Sequence, residues 1–519
     1  MIFKLGLISA LLVLNGFSRP NIVVLYSDDA GYADFGFQPN CREEMKALTP
    51  NIDRIAKEGA RFSNAYMCGS VCSPSRAGLM TGRYPQRFGY DNNLPPGTKD
   101  GLELKETFAA KRMQEIGYKT GLIGKWHLGY PAAYHPNKRG FDWFYGLLQG
   151  ARAYPAQKKI SDHKVIQENG KNTPEEGYVT DRFGDAACRF IKEHKEEPFY
   201  LFVSFTSPHG PLQPKESDLS RVAHIEDKKR KGYAGLIVSL DDNVGKVLDC
   251  LKSEGLDDNT IVLFTNDNGG QTQTGANNFP LQGKKGTLWE GGVRVPWAMR
   301  WPGRIKPGSV VDGVVSSLDL TPTFLEAGGG EVKDEWKLDG ESFLKLLDGE
   351  EKAKDRTLFW RQGGSKGPRA IREGSWKVVD DRKRGMKPAL FDLGKDIGSQ
   401  RRLDVTFTLR KCPRHRTNRC LRWLIADEAD AQLLREIARR RFMSTDDREH
   451  RIEILFAPSG RDLVTQNRLR SIIVRGRIKL HFPFIKSLLP PRRPTTEATR
   501  HLHDILLRIA AIHPEGVQL

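Results

Sequence analysis

Cysteine is scarce in this chain, and no two cysteines have the CxxC spacing that is typical of zinc sites. Only 7 of the 519 residues are Cys, at positions 41, 68, 72, 188, 250, 412 and 420. So few cysteines in a chain of this length exclude a disulfide scaffold. Their odd number leaves at least one thiol without a disulfide partner.

Long hydrophobic runs are also missing, apart from residues 5–14, and this run is too short to cross a bilayer. It follows Lys4 and precedes the sequence GFS, whose small residues are typical of a signal-peptidase cleavage site. We therefore expect residues 1–18 to be a signal peptide. The mature chain would then start at Arg19, be periplasmic or secreted, and have no stable membrane span. A short buried strand or helix is the alternative.

Acidic residues are too few to balance the basic ones, so the net charge is +18. From Ser399 onward, 25 Lys and Arg stand against 13 Asp and Glu, which places +12 of this charge in the last 121 residues. Arg also replaces Lys there, with 22 Arg and 3 Lys. A basic chain favours polyanions as partners. Because the excess lies in the tail, we expect no nucleic-acid partner for the rest of the chain.

What the sequence does contain is a regular alternation of apolar β-forming runs and helical segments, up to about Leu325. This predicts an α/β fold with a largely parallel central sheet sandwiched by helices. One helix is predicted to start with Thr49 as its N-cap and Pro50 as its first residue. A second helix is predicted to run from about Leu104 to Ile116. Strands are predicted at residues 21–26, 119–124, 199–205 and 260–265.

Polar side chains with catalytic or metal-binding capacity follow each of these four strands. They are Asp28, Asp29, Lys125, His127, His209, Asp267 and Asn268. Any one cluster alone is compatible with an ordinary loop. Because the carboxyl ends of parallel strands form the ligand-binding edge of an open sheet, we interpret the four clusters as one site.

The aspartates and the asparagine of this set offer only oxygen atoms as ligands. Asp28, Asp29, Asp267 and Asn268 therefore suit a hard cation, calcium or magnesium, better than zinc. Acids placed this close together also need positive charge between them. A helix cap and an Asx-turn remain the alternative for the two pairs.

The sequence CSPSRAGLMTGR, which begins at Cys72, predicts a helix that starts at its Ser-Pro pair and stops at Gly82. The helix N-terminus favours an anion and is expected to lower the pKa of the Cys72 thiol. Arg76 and Arg83 are both candidates to bind a tetrahedral oxyanion. A disulfide with Cys68 and an inert buried thiol are the alternatives.

The whole motif CSPSRAGLMTGR resembles the signature of the type I sulfatases, whose Cys is oxidised to formylglycine after translation. The chain is similar to this family, and to its arylsulfatase and N-acetylgalactosamine-6-sulfatase members, up to about Gly398. Further segments that carry the resemblance are RPNIVVLYSDDAGY, GKWHLG, SPHGPLQP, FTNDNGG and LQGKKGTLWEGGVRVPW. The resemblance implies an alkaline-phosphatase-like fold.

It also implies a metal centre and a modified nucleophile. Calcium, or magnesium in its place, would be held by Asp28, Asp29, Asp267, Asn268 and the modified Cys72. Cys72 would be converted to formylglycine by a formylglycine-generating enzyme, and its hydrate would attack sulfur and later expel sulfate.

The remaining catalytic roles follow from the same resemblance. Arg76 would hold the nucleophile, and Lys125 and Lys285 would neutralise charge on the sulfate oxygens. His127 would act as the base and His209 as the acid that protonates the leaving oxygen. Lys284 is next to Lys285, and the spacing to the sequence EGG selects the latter.

The C-terminal part divides into two regions. Residues 326–398, after the catalytic domain at 19–325, are expected to form a smaller antiparallel α+β subdomain with strands at 357–361, 369–379 and 389–392. Residues 399–519 depart from the family pattern, and we expect much of this tail to be poorly ordered. Our hypothesis is that a frameshift produced it. A basic appendage that binds a polyanion is the alternative.

The function that we predict is hydrolysis of sulfate esters, on a sulfated carbohydrate or an aryl sulfate. A phosphonate monoester or phosphodiester hydrolase shares the same implied fold and site, and it is the alternative within enzymes. A non-catalytic binder of sulfated glycans is the alternative outside them.

Overall fold

The structure is a computed structural model that describes residues 19–349, 355–381 and 388–399, together with the backbone of four strands in the tail. The predicted signal peptide lies outside the described residues. No helix within these ranges is long and apolar enough to cross a membrane.

Helices and strands alternate along the first part of the chain. The helices are α1 (Pro50–Glu58), α2 (Cys72–Thr81), α3 (Ala109–Glu115), α4 (Val179–Glu193), α5 (Glu216–Arg221), α6 (Lys228–Ser253), α7 (Glu290–Val293), α8 (Leu320–Ala327) and α9 (Leu344–Leu347). The strands up to residue 316 are β1 (Asn21–Ser27), β2 (Ala60–Tyr66), β3 (Lys119–Lys125), β4 (Trp143–Leu147), β5 (Gln167–Glu168), β6 (Lys171–Asn172), β7 (Phe199–Ser204), β8 (Thr260–Asn266), β9 (Trp297–Arg300) and β10 (Ser309–Ser316). The later strands are β11 (Thr357–Arg361), β12 (Arg369–Glu373), β13 (Trp376–Asp380), β14 (Ala389–Asp392), β15 (Val405–Lys411), β16 (Arg419–Ile425), β17 (Arg451–Phe456) and β18 (Ser471–Arg475).

The first ten strands form one mixed sheet in the order β10-β2-β9-β8-β1-β7-β3-β4-β5-β6. Its centre, β8-β1-β7-β3-β4, is parallel throughout, whereas β9 and the short strands β5 and β6 are antiparallel to their neighbours. The predicted fold class, a largely parallel α/β sheet with a smaller antiparallel subdomain, is confirmed.

The central strands are buried on both faces because each contributes alternate side chains to two cores. In β1, Val23 and Leu25 enter the core that holds α1, α4 and α6. Ile22 and Val24 enter the opposite core, with α2, α3 and α8. This layering explains why β1, β7 and β8 are recognisable as continuous apolar runs.

The antiparallel subdomain has four strands in the order β11-β12-β13-β14. The prediction of one strand at 369–379 is wrong, because the chain turns at Gly374, which has φ +54°, and forms the hairpin β12–β13. The helix predicted from Leu104 begins at Ala109 instead, and Leu104 is exposed.

The tail is described only through its four strands. Their sheet has the order β15-β16-β17-β18. Apart from these strands, the tail lies outside the described residues, and so does the expectation that much of residues 399–519 is poorly ordered. The proposed domain boundaries stay predictions.

Candidate active site

The site lies at the carboxyl edge of four adjacent strands, β8, β1, β7 and β3. The strand ends are level, because Tyr26 pairs with Ser204 and Ser27 with Asn266. Asp28 and Asp267 therefore leave neighbouring strands side by side. The polar residues that the sequence places after these strands do meet at one edge of the sheet.

Cys72 is the first residue of α2, and its side chain points into this edge. It is buried, and its Sγ lies 3.8 Å from Asp28 Oδ1. Cys68 does not form a disulfide with it. Both cysteines are free, and the Cys68 thiol faces the carbonyl oxygens of Pro74 and Ser75 instead.

The expected lowering of the thiol pKa is not found. Burial raises the pKa of Cys72 to about 12, although Lys125 and Lys285 oppose the shift. Loss of water around the thiolate thus outweighs the favourable field of the helix N-terminus. The unmodified thiol is neutral and poorly nucleophilic in this environment.

Arg76 lies one turn into α2 and connects the strand ends. Its guanidinium donates to Asp267 Oδ2 at 3.2 Å, to the Lys125 carbonyl oxygen at 3.1 Å and to Ser204 Oγ at 2.5 Å. Arg83 does not share this place, because it follows the far end of the helix. It pairs with Glu106 at 2.7 Å, so its expected contact with an oxyanion is wrong.

Two lysines pair with Asp28 and Asp29, which follow β1. Lys125 Nζ lies 2.6 Å from Asp28 Oδ2, and Lys285 Nζ lies 2.6 Å from both carboxylate oxygens of Asp29. Lys284 contacts Thr287 through its backbone instead. The spacing argument therefore selected the lysine whose side chain enters the cluster.

The carboxylates differ in proton affinity because they differ in neighbours. Burial, followed by repulsion from Asp267, raises the pKa of Asp28 to about 6. Burial acts on Asp267 as well, but Arg76, Lys125 and Lys285 outweigh it and lower the pKa of that carboxyl. With Asp29, three buried acids thus face three cations.

The two histidines have different surroundings, and of the two it is His209 that contacts an aspartate. His127 is 7% exposed, has φ +61°, and its Nε2 lies 3.3 Å from the Leu94 carbonyl oxygen. His209 has a side chain that is 22% exposed, and its Nε2 lies 3.5 Å from Asp29 Oδ2. Asp29 also has a positive φ, +67°. Such backbone strain in residues other than glycine is concentrated at functional sites.

The aspartates of the cluster fit a hard cation, whereas its thiol and imidazole are softer ligands. One ligand atom from each of Asp28, Asp29, Cys72 and His209 lies within 4.8 Å of the others. Asn268 Nδ2 donates to Asp29 Oδ1, whereas Asn268 Oδ1 is buried without a hydrogen-bond partner. A buried acceptor of this kind is costly unless something binds it. A cation ligated by oxygen is the group that these residues suit.

Two supporting contacts were not predicted from the sequence. Asn266 Oδ1 accepts from Ser27 Oγ at 2.8 Å and from Ala30 N at 3.0 Å. These bonds fix the segment that carries Asp28 and Asp29 to the end of β8. Lys377 of the subdomain has its Nζ 2.7 Å from Glu290 Oε1. Glu290 follows Lys285 by five residues. The motif FTNDNGG contains Asn266, but no sequence signal joins residues 290 and 377.

Comparison with known proteins agrees with this geometry. Residues 20–330 match the family model described as Sulfatase, and residues 283–403 match N-sulphoglucosamine sulphohydrolase, C-terminal. Human arylsulfatase H is 32% identical over 438 residues, which cover 67% of this chain and 75% of that protein. Human N-acetylgalactosamine-6-sulfatase is 32% identical over 369 residues, covering 66% and 68%.

A solved structure is similar to the chain as well. Ps i-CgsB, determined in complex with k-i-k-neocarrahexaose, has a TM-score of 0.70 and 37% sequence identity, and the match covers 74% of this chain and 88% of that one.

The sheet and its charged edge define an α/β enzyme whose reaction centre lies beyond the carboxyl ends of the central strands. The chain belongs to the sulfatase family. It is a sulfatase, an enzyme that hydrolyses sulfate esters, as predicted from the sequence.

Proposed function

We propose that this sulfatase acts on a sulfated carbohydrate and that Cys72 is its nucleophile after maturation to formylglycine. The position of Cys72 carries the proposal, because its Sγ lies 3.8 Å from Asp28 Oδ1 in the cluster that holds Lys125 and Lys285. As its hydrate, formylglycine supplies an oxygen nucleophile and a route for releasing sulfate. Maturation requires a formylglycine-generating enzyme as a partner.

A divalent cation is part of the same proposal, held by Asp28, Asp29, Asp267, Asn268 and the matured residue 72. We favour calcium, the cation that the family resemblance implies. Magnesium is the alternative, because it also takes oxygen ligands. The cation supplies positive charge that offsets the carboxylates and the incoming sulfate. The unpartnered Asn268 Oδ1 supports this assignment.

The fixed cations of the chain bind and orient the sulfate ester. Lys125 Nζ lies 2.6 Å from Asp28, and Lys285 Nζ lies 2.6 Å from Asp29. Arg76 is held by Asp267 and Ser204, so its guanidinium does not need to reorient during the reaction. Charges placed in advance in a dry site stabilise the charge that develops on the sulfate oxygens.

Two histidines move the protons. Burial, followed by the charges of Lys125 and Arg76, holds the pKa of His127 well below its ordinary value, so the ring is neutral and has one unprotonated nitrogen. Its Nδ1 is buried without a partner. His209 lies nearer the surface and is the acid that protonates the leaving alcohol oxygen.

The choice of a carbohydrate rests on the relatives. Ps i-CgsB was solved with an oligosaccharide, and human N-acetylgalactosamine-6-sulfatase is named for a sugar sulfate. The N-terminal pattern of residues 1–18 supports export to the periplasm or medium, where extracellular glycans are accessible.

Sulfate release from a chromogenic aryl sulfate, with added calcium, tests the proposal. The chain is co-expressed with a formylglycine-generating enzyme, and the aldehyde at position 72 is checked by peptide mass. We expect Cys72→Ala to lower turnover by at least about 10³-fold, because the nucleophile is lost. Cys68→Ala, which removes the other buried thiol nearby, is the matched control. Equal turnover in Cys72→Ala and the parent chain contradicts the proposal.

Two further substrates separate the alternatives. Faster turnover of an aryl phosphodiester than of the aryl sulfate would favour the phosphodiester reading of the same site. Retained binding of sulfated glycans without turnover, despite a verified aldehyde, would favour the binder.

A further inference from the structure

Two cysteines outside the catalytic cluster face each other where α4 packs against α6. Cys188 Sγ lies 3.5 Å from the carbonyl oxygen of Lys246, and Cys250 Sγ lies 3.7 Å from the carbonyl oxygen of Cys188. Each thiol also shifts the pKa of the other. Each sulfur therefore lies against the backbone of the partner helix, beside the other sulfur.

The helices are held close together just before this point. Lys246 Nζ lies 2.6 Å from Asp185 Oδ1, and Asn243 Nδ2 donates to Asp181 Oδ1 at 2.8 Å. Gly184 permits the close approach, since a Cβ there would lie 2.2 Å from Asn243 Oδ1. A disulfide needs Cα atoms within about 7 Å of each other, and the close approach of the two helices at Gly184 favours that spacing.

We propose that Cys188 and Cys250 form a disulfide bond that ties α4 to α6 when the folded chain meets an oxidised disulfide. Each thiol loses a proton and an electron as the bond between the two sulfurs forms. The oxidant, a small-molecule disulfide or the disulfide of a thiol oxidase, takes up both electrons and both protons and becomes two thiols.

The surroundings of the pair support this reaction. Cys188 is partly exposed, which gives an oxidant access to it, whereas Cys250 is buried. The hydrogen bond from the Cys188 thiol, followed by the charge of Lys192, lowers the pKa of Cys250 despite its burial. A thiolate there favours disulfide exchange. Among the described cysteines, the structure pairs only these two.

Peptide mapping of the full chain tests the bond directly. The protein is treated with oxidised glutathione, its remaining thiols are alkylated, and it is cleaved with trypsin without reduction. Trypsin is expected to release Phe183–Arg189 and Val247–Lys252, each with one cysteine. We expect these two peptides joined, and separating on reduction. Recovery of both as single alkylated peptides overturns the proposal.

Thermal unfolding tests whether the bond ties the helices. The bond closes a loop of about 60 residues, so oxidation is expected to raise the Tm by roughly 5 °C. Cys250→Ser should unfold like the reduced parent chain and gain nothing on oxidation. Cys41→Ser, which removes a thiol elsewhere, should keep the full gain. An unchanged Tm in an oxidised parent chain that contains the joined peptides overturns the tie.

Discussion

At the level of single residues, Gly150 sets how closely the chain passes the ring of His127. A Cβ at position 150 would lie 2.4 Å from His127 Cε1 and 2.7 Å from both ring nitrogens. Gly150→Ala is therefore expected to displace the proposed base and to lower kcat roughly 10- to 100-fold, since small misplacements of a reacting group are costly. Aryl sulfate turnover measures this.

The control for this prediction is another glycine with room for a methyl group. At Gly232, in α6, a Cβ would meet Leu212 Cβ at an ordinary 3.4 Å. Gly232→Ala should keep its kcat and gain slightly in stability, because alanine favours helix. Equal kcat values in the two variants would mean that the His127 ring adapts without loss.

The unpartnered oxygen of Asn268 gives a prediction that does not depend on activity. If Asn268 ligates calcium, calcium should raise the Tm of the parent chain by mass action, and a chelator should reverse the rise. Asn268→Ala should lose most of this shift, whereas Asn172→Ala, on an exposed strand, should keep it. Calorimetry with and without calcium decides. A full calcium shift in Asn268→Ala would remove this residue from the metal site.

Sequence motifs identified the side chains of the site better than their behaviour. The residue types at positions 28, 29, 267 and 268 follow strands that were recognisable, so their meeting point was predictable. Proton affinity was not, because burial raises the pKa of Cys72 whereas its helix position alone suggested the reverse. Arg83 was misplaced for a similar reason, since its partner Glu106 is distant in sequence.

At the level of elements, Glu290 joins α7 to the antiparallel sheet. It is fully buried and contacts Lys377, Arg294 and Tyr66. Burial would raise the pKa of Glu290, but Lys377 and Arg294 outweigh it and lower that pKa to about 2. Glu290→Gln leaves the buried cations uncompensated, so we expect a loss of about 3 kcal/mol in unfolding free energy at neutral pH. Urea unfolding measures it.

The pH dependence of this loss has a definite sign. A carboxyl with a lowered pKa stabilises the fold above its ordinary value of 4.5, and this contribution disappears as the pH falls towards about 2. The difference between parent and Glu290→Gln should therefore be complete above pH 4.5 and shrink below it. Glu335→Gln, at an exposed position, should show neither effect. A difference that grows on acidification would contradict the assignment.

Elements were predictable where burial on two faces produced continuous apolar runs, as in β1, β7 and β8. They were not where a single turn residue decided the outcome. Gly374 turns the chain between β12 and β13 with a positive φ, and the glycine itself was the signal in the sequence for two strands instead of one. The first residue of α3 depended on tertiary packing, because Leu104 remains exposed in spite of its helical spacing.

At the level of the whole molecule, the site is assembled before the tail begins. All the proposed catalytic and metal-binding residues precede position 286, and the subdomain that contacts Glu290 has its last strand at Asp392. A chain that ends at Leu403, where the C-terminal family match stops, is expected to keep its aryl sulfate turnover. It should bind a sulfated polymer more weakly at low salt, because it lacks most of the tail's charge.

Activity assays of the two chains in parallel, with salt titration of polymer binding, check this expectation. Loss of aryl sulfate turnover in the shortened chain would show that the tail supports the site. The frameshift hypothesis is tested separately by resequencing the junction at Ser399. An intact reading frame through the tail in the native gene would reject it.

The burial of Cys72 has a consequence for timing. The residue is 1% exposed, lies beside the charged side chains of the site and begins a helix that is itself buried throughout. An enzyme that oxidises this side chain has to reach it, and the completed fold leaves it almost no exposed surface. The proposed conversion of Cys72 is therefore expected to take place before folding is complete, and a molecule that folds first would keep its thiol and stay inactive.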